Sequence, residues 1–320
     1  MENYLITGGA GFIGSNLANY LASENTVIVI DDLSMGKQEN LINSNNIKFI
    51  KGSVTNHHLM EDILSSNQFD YIFHLAAIAS VADSVARPVE THQINFESVL
   101  SLLELVKKTQ PNLKKLVFSS SAAVYGDEPS LPKIENSAIK PLTPYAIDKY
   151  AAERYVNVYN HLYDVPTSAV RFFNIYGPNQ NPSSPYSGVI SILIDNYRDL
   201  LKKRNISFTL YGDGEQSRDF VYIEDAIQAL LLVAKSSHSK GEVYNVGTGK
   251  AITLNELISI IDKILGVKLP VIFMEERSGD IKHSLSNTEK LTLLGYKPSF
   301  TVEKGIASYL SKLKLKKPSF

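Results

Sequence analysis

The chain has 320 residues and a mass of 35.5 kDa, which fits one large α/β unit or a large domain with a smaller one attached. Its formal net charge is −1 with both signs interspersed, so neither nucleic acid nor a membrane is expected as a partner. Cysteine is absent, which excludes disulfides, thiolate metal sites and a cysteine nucleophile, and no metal site is expected. No signal peptide precedes the first predicted strand and no long apolar run follows, so a cytoplasmic location is expected.

A glycine-rich turn follows the first predicted strand. Residues 4–6 are apolar, Gly8, Gly11 and Gly14 come next, and an amphipathic helix is predicted from Phe12 to about Ala22. Glycines let the backbone turn tightly, and the free N–H groups of a helix start attract an anion. Doubly wound folds hold the pyrophosphate of a dinucleotide in this way. The spacing differs from G-x-G-x-x-G, so a turn that binds nothing is the alternative.

An acidic residue ends the second predicted strand, at about the spacing from the glycines that dinucleotide-binding folds use. Residues 27–30 are apolar and Asp31 follows them. Its carboxylate can accept hydrogen bonds from both hydroxyls of an adenosine ribose and would repel a 2′-phosphate. The order of strand, glycines, helix, strand and acid therefore predicts NAD rather than NADP, although Lys37 lies close enough in sequence to weaken that preference.

Strands and helices alternate as far as residue 172. Further strands are predicted at 47–50, 71–75, 116–119 and 167–172, and helices at 56–65, 88–108 and 144–163. This alternation predicts an α/β fold with a doubly wound (Rossmann) parallel sheet. Residues 1–173 are assigned to the NAD-binding domain, with 213–236 predicted to return to it. Residues 174–320, including a strand at 243–246, are assigned to a smaller α/β domain that binds the substrate.

A tyrosine and a lysine lie on one face of the long predicted helix at 144–163. Tyr145 and Lys149 are four residues apart, and the helix starts beside the serine run 119–121 at the end of the fifth strand. A free tyrosine titrates near ~10, but a nearby ammonium and a cationic nicotinamide would both favour the phenolate. Ser121 could hold the same substrate hydroxyl. The alternative is a tyrosine packed on a helix beside a serine-rich loop.

Seven motifs occur in a characteristic order along the chain. They are TGGAGFIG, FHLAA, SSSAAVYG, the Tyr145-x-x-x-Lys149 pair, RFFNIYGP, GDGEQSRDFVY and ERSGD. The chain resembles, nearly end to end, the extended short-chain dehydrogenases/reductases of the nucleotide-sugar epimerase/dehydratase family. The resemblance implies NAD as the cofactor, a UDP-sugar as the substrate, and Ser121, Tyr145 and Lys149 as the catalytic residues.

The resemblance also implies two sets of binding residues. For NAD they are Gly8, Gly11, Phe12, Ile13, Gly14, Asp31, Asp32, Lys37, Gly52, Ser53, Leu75, Ala76, Ala77, Asn95, Ser119, Tyr145, Lys149 and Phe172. For the UDP-sugar they are Ser80, Ser121, Ala122, Tyr145, Asn174, Ser187, Val189, Tyr211, Arg218, Arg277, Asp280 and Ser284. Arginine forks suit a diphosphate and a carboxylate suits ribose hydroxyls, whereas surface salt bridging is the alternative for either arginine.

Two positions depart from the family pattern. Ser53 follows Gly52 where relatives often have aspartate, which weakens the expected adenine contact. Asn179 stands where close relatives often carry arginine, which changes the charge expected near the sugar or the phosphates.

The residues after Ser121 bear on the reaction. At this position the dehydratases of the family have a sequence similar to Thr-Asp-Glu or Thr-Ser-Glu. This chain has Ser121-Ala122-Ala123 and lacks the acidic residue. The prediction is 4-epimerization through a 4-keto sugar with NAD recycled. Ser284 stands where a bulky tyrosine restricts relatives to plain hexoses, and Ser80 and the loop 181–187 are similar to UDP-N-acetylglucosamine 4-epimerases. UDP-GlcNAc and UDP-GalNAc are therefore the expected substrates, with UDP-Glc and UDP-Gal left open.

Other readings stay open. UDP-glucuronate 4-epimerization or decarboxylation would need a cation or a hydroxyl pair facing a sugar carboxylate, and Ser284 and Ser187 do not exclude it. A non-catalytic NAD-binding regulator is disfavoured because the serine, tyrosine and lysine are all present. A homodimer is expected through the helices at 90–108 and 145–163, whose apolar residues could equally belong to the core.

Overall fold

The computed structural model describes residues 1–181, 188–276 and 281–315. The strands in chain order are β1 Asn3–Thr7, β2 Thr26–Asp31, β3 Ile47–Lys51, β4 Tyr71–His74, β5 Lys115–Ser121, β6 Thr167–Phe172, β7 Asn174–Tyr176, β8 Phe208–Tyr211, β9 Ser217–Arg218, β10 Phe220–Tyr222, β11 Val243–Val246, β12 Ile252–Thr253, β13 Val271–Met274 and β14 His283–Ser284. The α-helices are α1 Phe12–Leu21, α2 His57–Ser66, α3 Val81–Ala86, α4 Pro88–His92, α5 Ser98–Thr109, α6 Pro144–Tyr163, α7 Val189–Leu201, α8 Ile223–Lys235, α9 Leu254–Leu265, α10 Glu289–Thr292 and α11 Val302–Lys312.

A parallel sheet of seven strands forms the centre of the fold. Its order is β3-β2-β1-β4-β5-β6-β11, and every neighbouring pair in it is parallel. The direction in which the chain adds strands reverses between β1 and β4, and open α/β sheets bind ligands at the carboxyl ends of the strands beside such a reversal. The predicted doubly wound fold is confirmed.

Helices cover both faces of this sheet because successive strand residues point in opposite directions. In β1, Tyr4 and Ile6 pack in one apolar cluster with residues of α1 and α8, whereas Leu5 packs in a second cluster with residues of α2, α5 and α6. All three residues are fully or almost fully buried. This alternation holds the carboxyl ends of the strands in fixed positions.

The second half of the chain adds small sheets. β7 pairs with β10 and β8 with β13, while β9 lies between β12 and β14. Residues 243–246 were predicted to lie in the smaller substrate domain. In the structure they form β11, which pairs with β6 at one edge of the large sheet. The segment 213–236, which was predicted to return to the large domain, does so only in part. Its strand β10 pairs outside the large sheet, whereas its helix α8 packs against β5 and β6.

The helices near the site agree with the prediction, with one irregularity. α6 has the predicted bounds, begins at Pro144 and is capped by the Thr143 side chain, which accepts from the N–H of Ala146. The helix predicted at 88–108 is interrupted by a π-helical turn, Gln93–Glu97, between α4 and α5. Within the described ranges, no helix is long and apolar enough to cross a lipid bilayer.

Candidate active site

The glycine turn has the shape of a phosphate cradle. Gly8 has a φ of +67°, and a Cβ there would lie 2.7 Å from the Ala76 nitrogen. A Cβ on Gly14 would lie 2.3 Å from the Gly8 oxygen, so only glycine fits either position. α1 begins directly after Gly11, and no side-chain cap is found at its start among the described residues. The N–H groups of Phe12, Ile13 and Gly14 therefore suit a pyrophosphate.

Asp31 lies beside this turn at the end of β2. Its Oδ2 accepts from the Ala10 N–H at 3.0 Å and its Oδ1 from the Leu33 N–H at 2.8 Å, which fixes the carboxylate. Burial raises the pKa of Asp31, and these backbone hydrogen bonds oppose that shift. The Gly52 nitrogen donates to the Asp31 carbonyl, which brings the end of β3 to the same edge. The geometry fits the adenosine ribose of NAD.

The loop after β4 is fixed from two sides. On one side the Thr7 hydroxyl accepts from the Ala76 N–H at 3.3 Å and bonds His74 Nδ1 at 2.9 Å. On the other, Asn95 accepts from the Ile78 N–H at 2.8 Å and donates to its carbonyl at 3.0 Å. Asn95 lies on the π-helical turn, a feature that is frequent at functional sites. Asn95 thus holds the loop 75–80 in place at the carboxyl end of β4.

The proposed catalytic groups meet at the end of β5. The Lys149 Nζ donates to the Ser119 carbonyl at 2.8 Å and lies 4.9 Å from the centre of the Phe118 ring. Tyr145 lies one helical turn earlier on α6, and the Ser121 side chain is close enough to lower its pKa. Lys149 is 2% and Tyr145 9% exposed, so both sit in a low-dielectric environment. The structure brings together the residues that the sequence placed on one helix face and one strand end.

Burial controls the protonation of these groups. It lowers the pKa of Lys149 to about 7, with Asp148 opposing the shift. It raises the pKa of Tyr145, and the hydrogen bond from Ser121 opposes that rise. The sequence predicts that a nearby ammonium and a cationic nicotinamide together lower the pKa of the tyrosine toward the neutral range, whereas in the protein alone desolvation is the larger effect. His74 is uncharged because burial lowers its pKa to about 3.

The other residues predicted to bind NAD surround this edge. Phe172 pairs with Ser121 across β6 and β5. Lys37 is exposed, and its backbone N–H donates to the Ala10 carbonyl; Asp32 is also exposed. The Ser53 hydroxyl bonds that of Thr55 at 2.9 Å instead of supplying the carboxylate common in relatives.

Two residues predicted to bind the sugar are already engaged in local structure. The Ser80 hydroxyl accepts from the Asp83 N–H at 2.9 Å as the cap of α3. Ala122 opens the 3₁₀ turn Ala122–Tyr125, directly after Ser121. Asn179, the departure from the family pattern, donates to the Ser15 hydroxyl of α1 at 3.0 Å. It therefore links the loop after β7 to the helix that begins at the glycine turn.

The small three-stranded sheet brings two predicted substrate residues side by side. Arg218 of β9 pairs with Ser284 of β14, and its Nη1 donates to the carbonyls of Ser217 and Lys282 at 3.0 and 3.2 Å. The other members of the set on described elements are placed as follows: Asn174 begins β7 and donates its backbone N–H to Asp219, Val189 begins α7, and Tyr211 ends β8. Ser187, Arg277 and Asp280 lie outside the described residues.

Sequence reasoning missed a buried ion pair next to the catalytic helix face. Glu153 and Arg171 are bonded by two hydrogen bonds, and Ser120 donates to the same carboxylate. The one available signal is spacing, because Glu153 follows Lys149 by the same four residues that separate Lys149 from Tyr145. Arg171, on a separate strand, offers no such signal.

Comparison with known proteins identifies the family. Residues 4–247 match the NAD dependent epimerase/dehydratase family. The UDP-glucose 4-epimerase of Mycolicibacterium smegmatis is 36% identical over 309 residues, with 95% of this chain and 96% of that protein covered. Two solved structures are also similar. The UDP-N-acetylglucosamine 4-epimerase of Methanobrevibacter ruminantium, in complex with UDP-N-acetylmuramic acid, is 39% identical with a TM-score of 0.90 and 98% of each chain covered.

The UDP-glucuronic acid 4-epimerase of Bacillus cereus, in complex with UDP-glucuronic acid and NAD, is 29% identical with a TM-score of 0.85, covering 97% of this chain and 99% of that one. NAD is the cofactor that the family uses, and the glycine turn and Asp31 fit it. The chain belongs to the NAD dependent epimerase/dehydratase family.

Proposed function

We propose that the protein is a UDP-sugar 4-epimerase that interconverts UDP-GlcNAc and UDP-GalNAc. The chemistry rests on the cluster of Ser121, Tyr145 and Lys149 beside the glycine turn. The substrate choice rests on Ser284, a small residue paired with Arg218 in the small three-stranded sheet. UDP-Glc and UDP-Gal are proposed as weaker substrates of the same site.

The proposed reaction oxidises and then reduces carbon 4 of the sugar. NAD, held by the glycine turn and Asp31, would supply the acceptor and donor of a hydride at this carbon when bound. Tyr145 accepts the proton of the 4-hydroxyl, and Ser121, hydrogen-bonded to the tyrosine, holds that oxygen. The 4-keto sugar turns over in the pocket, so the hydride returns to the opposite face while Tyr145 gives the proton back. One cycle returns both the hydride and the proton to the sugar, so the cofactor and Tyr145 end the cycle in their starting states.

Lys149 and the loop after β5 organise this proton transfer. The Ser119 carbonyl fixes the Lys149 Nζ, and the residue immediately after Ser121 is alanine. A dehydratase would need an additional acid and base near this point to remove water from the sugar. The alanines supply neither, so epimerization is the reaction that this site favours.

The N-acetyl preference is argued from space beside Ser284. A hydroxymethyl side chain leaves room that a tyrosine ring would fill, and an acetamido group is larger than a hydroxyl. The similar protein of M. ruminantium is a UDP-N-acetylglucosamine 4-epimerase, and its bound ligand also carries an N-acetyl group. These two facts favour an N-acetylhexosamine over a plain hexose.

UDP-glucuronate is the second candidate substrate, for epimerization or decarboxylation. The observation in its favour is the similarity to the B. cereus enzyme, which is named for that substrate. A uronate would require a cation or a pair of hydroxyls close to its carboxylate. Of the two serines considered from the sequence, Ser284 is described and supplies one hydroxyl, whereas Ser187 lies outside the described residues, so the uronate ranks second. A non-catalytic NAD-binding regulator ranks third.

A homodimer is also proposed, with α6 in the contact. Its outer face exposes Ile147, Tyr155, Val158 and Leu162, from 36% to 61%, and nearby α4 exposes Val89 at 71%. Apolar residues spaced along one helix face suit a helix-to-helix contact between copies. The apolar stripe of α5 is buried in the core instead. Leu162→Lys should yield monomers in sedimentation experiments, whereas Leu293→Lys, at a still more exposed leucine outside α6, should not.

Product analysis tests the proposed activity. The protein is incubated separately with UDP-GlcNAc, UDP-Glc and UDP-glucuronate, and the sugars are separated and identified. We expect conversion of UDP-GlcNAc to UDP-GalNAc at the highest kcat/KM of the three. Turnover of UDP-Glc alone would contradict the argument from Ser284, and turnover of UDP-glucuronate alone would favour the second candidate. No turnover of any of them would favour the regulator.

A further inference from the structure

The Glu153–Arg171 ion pair lies buried between α6 and β6. The Arg171 Nε donates to Glu153 Oε2 at 2.9 Å, and its Nη2 donates to Oε1 at 2.6 Å. Glu153 is fully buried and Arg171 is 4% exposed. Such a two-pronged contact fixes the relative orientation of both groups. Since a buried ion pair is on average no more stabilising than apolar residues of similar size, stability alone does not account for it.

Ser120 connects this ion pair to the catalytic strand end. Its hydroxyl donates to Glu153 Oε2 at 2.7 Å, and the residue is 3% exposed. Ser120 is flanked by Ser119, whose carbonyl accepts from Lys149, and by Ser121. Because Glu153 lies one turn after Lys149 on α6, the hydrogen bond joins the same two elements that must meet for proton transfer.

The guanidinium of Arg171 extends the network to the turn that follows Ser121. Its Nη1 donates to the Tyr125 hydroxyl and to the Glu135 carbonyl, both at 2.9 Å. The Tyr125 hydroxyl in turn donates to the Asn245 side chain at 2.7 Å. The strand end, the turn and the helix are therefore held by one connected set of buried hydrogen bonds, which restricts their relative movement.

We propose that Ser120, Glu153 and Arg171 are positioning residues that hold the end of β5 against α6, so that Ser121 stays in contact with Tyr145 and the Ser119 carbonyl with Lys149. The inference deepens the proposed function and rests on it. Proton transfer depends on small distances, and sub-ångström displacement of Ser121 is enough to weaken its bond to the tyrosine. That bond favours the phenolate, so its loss raises the pKa of Tyr145 further.

Ser120→Ala is the central variant because it removes one hydroxyl and leaves the ion pair in place. We expect kcat to fall about tenfold with KM for the UDP-sugar nearly unchanged, because the lost hydrogen bond to the charged Glu153 positions groups that act in the transition state and does not bind the substrate. The limb of the pH profile in which kcat rises with pH should move to higher pH, since Tyr145 must be ionised to accept the proton. Ser120→Thr restores the hydroxyl and should restore both quantities.

Ser168→Ala is the matched control. Ser168 is a fully buried serine on β6 whose hydroxyl donates to the Ser239 carbonyl at 2.6 Å, away from the catalytic strand ends. It should lower the melting temperature as much as Ser120→Ala does, yet leave kcat and the pH profile as in the wild type. If Ser120→Ala behaves like Ser168→Ala in kcat and in pH profile, the positioning role is wrong and the network is purely structural.

A measurement without turnover separates this inference from the proposed function. The enzyme is labelled with ¹³C at the lysine Cε atoms, and the Lys149 signal is assigned by its loss in Lys149→Met. Displacement of the Ser119 carbonyl removes a partner of the ammonium, so Ser120→Ala should lower the pH at which Lys149 titrates and Ser168→Ala should not. If the wild type turns over no UDP-sugar, the proposed function fails and this titration alone decides; an unchanged Lys149 titration in Ser120→Ala overturns the positioning role.

Discussion

The carboxyl end of the large sheet and the small three-stranded sheet hold their functional residues in different ways. Beside the large sheet, Lys149 of α6 and Asn95 of the π-helical turn are almost fully buried, and each has a main-chain partner on another segment. In the small sheet, β9 and β14 are two residues long, and Arg218 and Ser284 are only half-buried. The first region is enclosed by its surroundings, whereas the side chains of Arg218 and Ser284 in the second are partly open to solvent.

We propose that this difference separates the residues of the chemistry from those of the substrate selectivity. A residue that sits in a fully packed region with paired polar groups tolerates few substitutions. A half-buried residue on a short strand tolerates many, so it can adapt to a different sugar. Similar proteins named for glucose, N-acetylglucosamine and glucuronic acid share this fold. We therefore expect substitutions in the large sheet to abolish activity and substitutions in the small one to redirect it.

Tyr145→Phe should have the largest effect. Loss of the proton acceptor should lower kcat by about a thousandfold on every UDP-sugar tested, since general base catalysis contributes on that order. NAD binding, measured by calorimetry, should stay within error because the ring remains in place. Tyr155→Phe, at a partly exposed tyrosine of the same helix, serves as the control and should keep full activity. A loss of activity toward only one sugar would contradict the claim that Tyr145 acts in the chemistry and not in the choice of sugar.

Asp31→Asn should weaken NAD binding by about tenfold, because one carboxylate oxygen that accepts hydrogen bonds becomes a donor. The same change should reduce the preference for NAD over NADP, since a negative charge no longer repels the 2′-phosphate. Asp32→Asn, at the exposed neighbour, should have a smaller effect on both. Equal losses in the two variants would show that the fixed carboxylate is not the ribose contact.

Lys149→Met should change how stability depends on pH. Burial lowers the pKa of Lys149 to about 7 from its usual value of 10.5, so between these values the unfolded chain binds more protons than the folded one. The cost of burying the ammonium is therefore fully present below about pH 7 and is relieved as the pH rises. The wild type should gain stability relative to Lys149→Met in urea titrations from pH 7 to 9. A constant difference between them would contradict a depressed pKa.

The sequence predicted the large sheet well and the second half less well. The glycine turn, Asp31 and the bounds of α6 follow from local patterns, and the structure has them as expected. The short strand β11 carries no signal for its partner, because only the packing of the complete sheet places it beside β6. The π-helical turn at Asn95 could not be predicted either, because the apolar residues around it fit a continuous α-helix.

The sequence predicted the proximity of Tyr145, Lys149 and the serine run better than it predicted their pKa values. Spacing alone placed Tyr145 and Lys149 on one face, since both lie on one helix. The direction of the Tyr145 pKa depends on how much water the folded protein removes, which a sequence does not contain. The partner of Glu153 comes from a strand that lies beside α6 only in the folded chain. Local sequence patterns therefore do not predict contacts between elements that are distant in sequence.

The ratio of kcat/KM for UDP-GlcNAc to that for UDP-Glc, measured for the wild type, Ser284→Ala and Ser284→Tyr, tests the central claim most directly. A tyrosine should fill the space proposed for the acetamido group, and a clash of this kind should lower the ratio by about a hundredfold while UDP-Glc turnover stays within a few-fold of the wild type. Ser284→Ala should leave the ratio nearly unchanged. An equal loss on both sugars in Ser284→Tyr would contradict the assignment of selectivity to the small sheet.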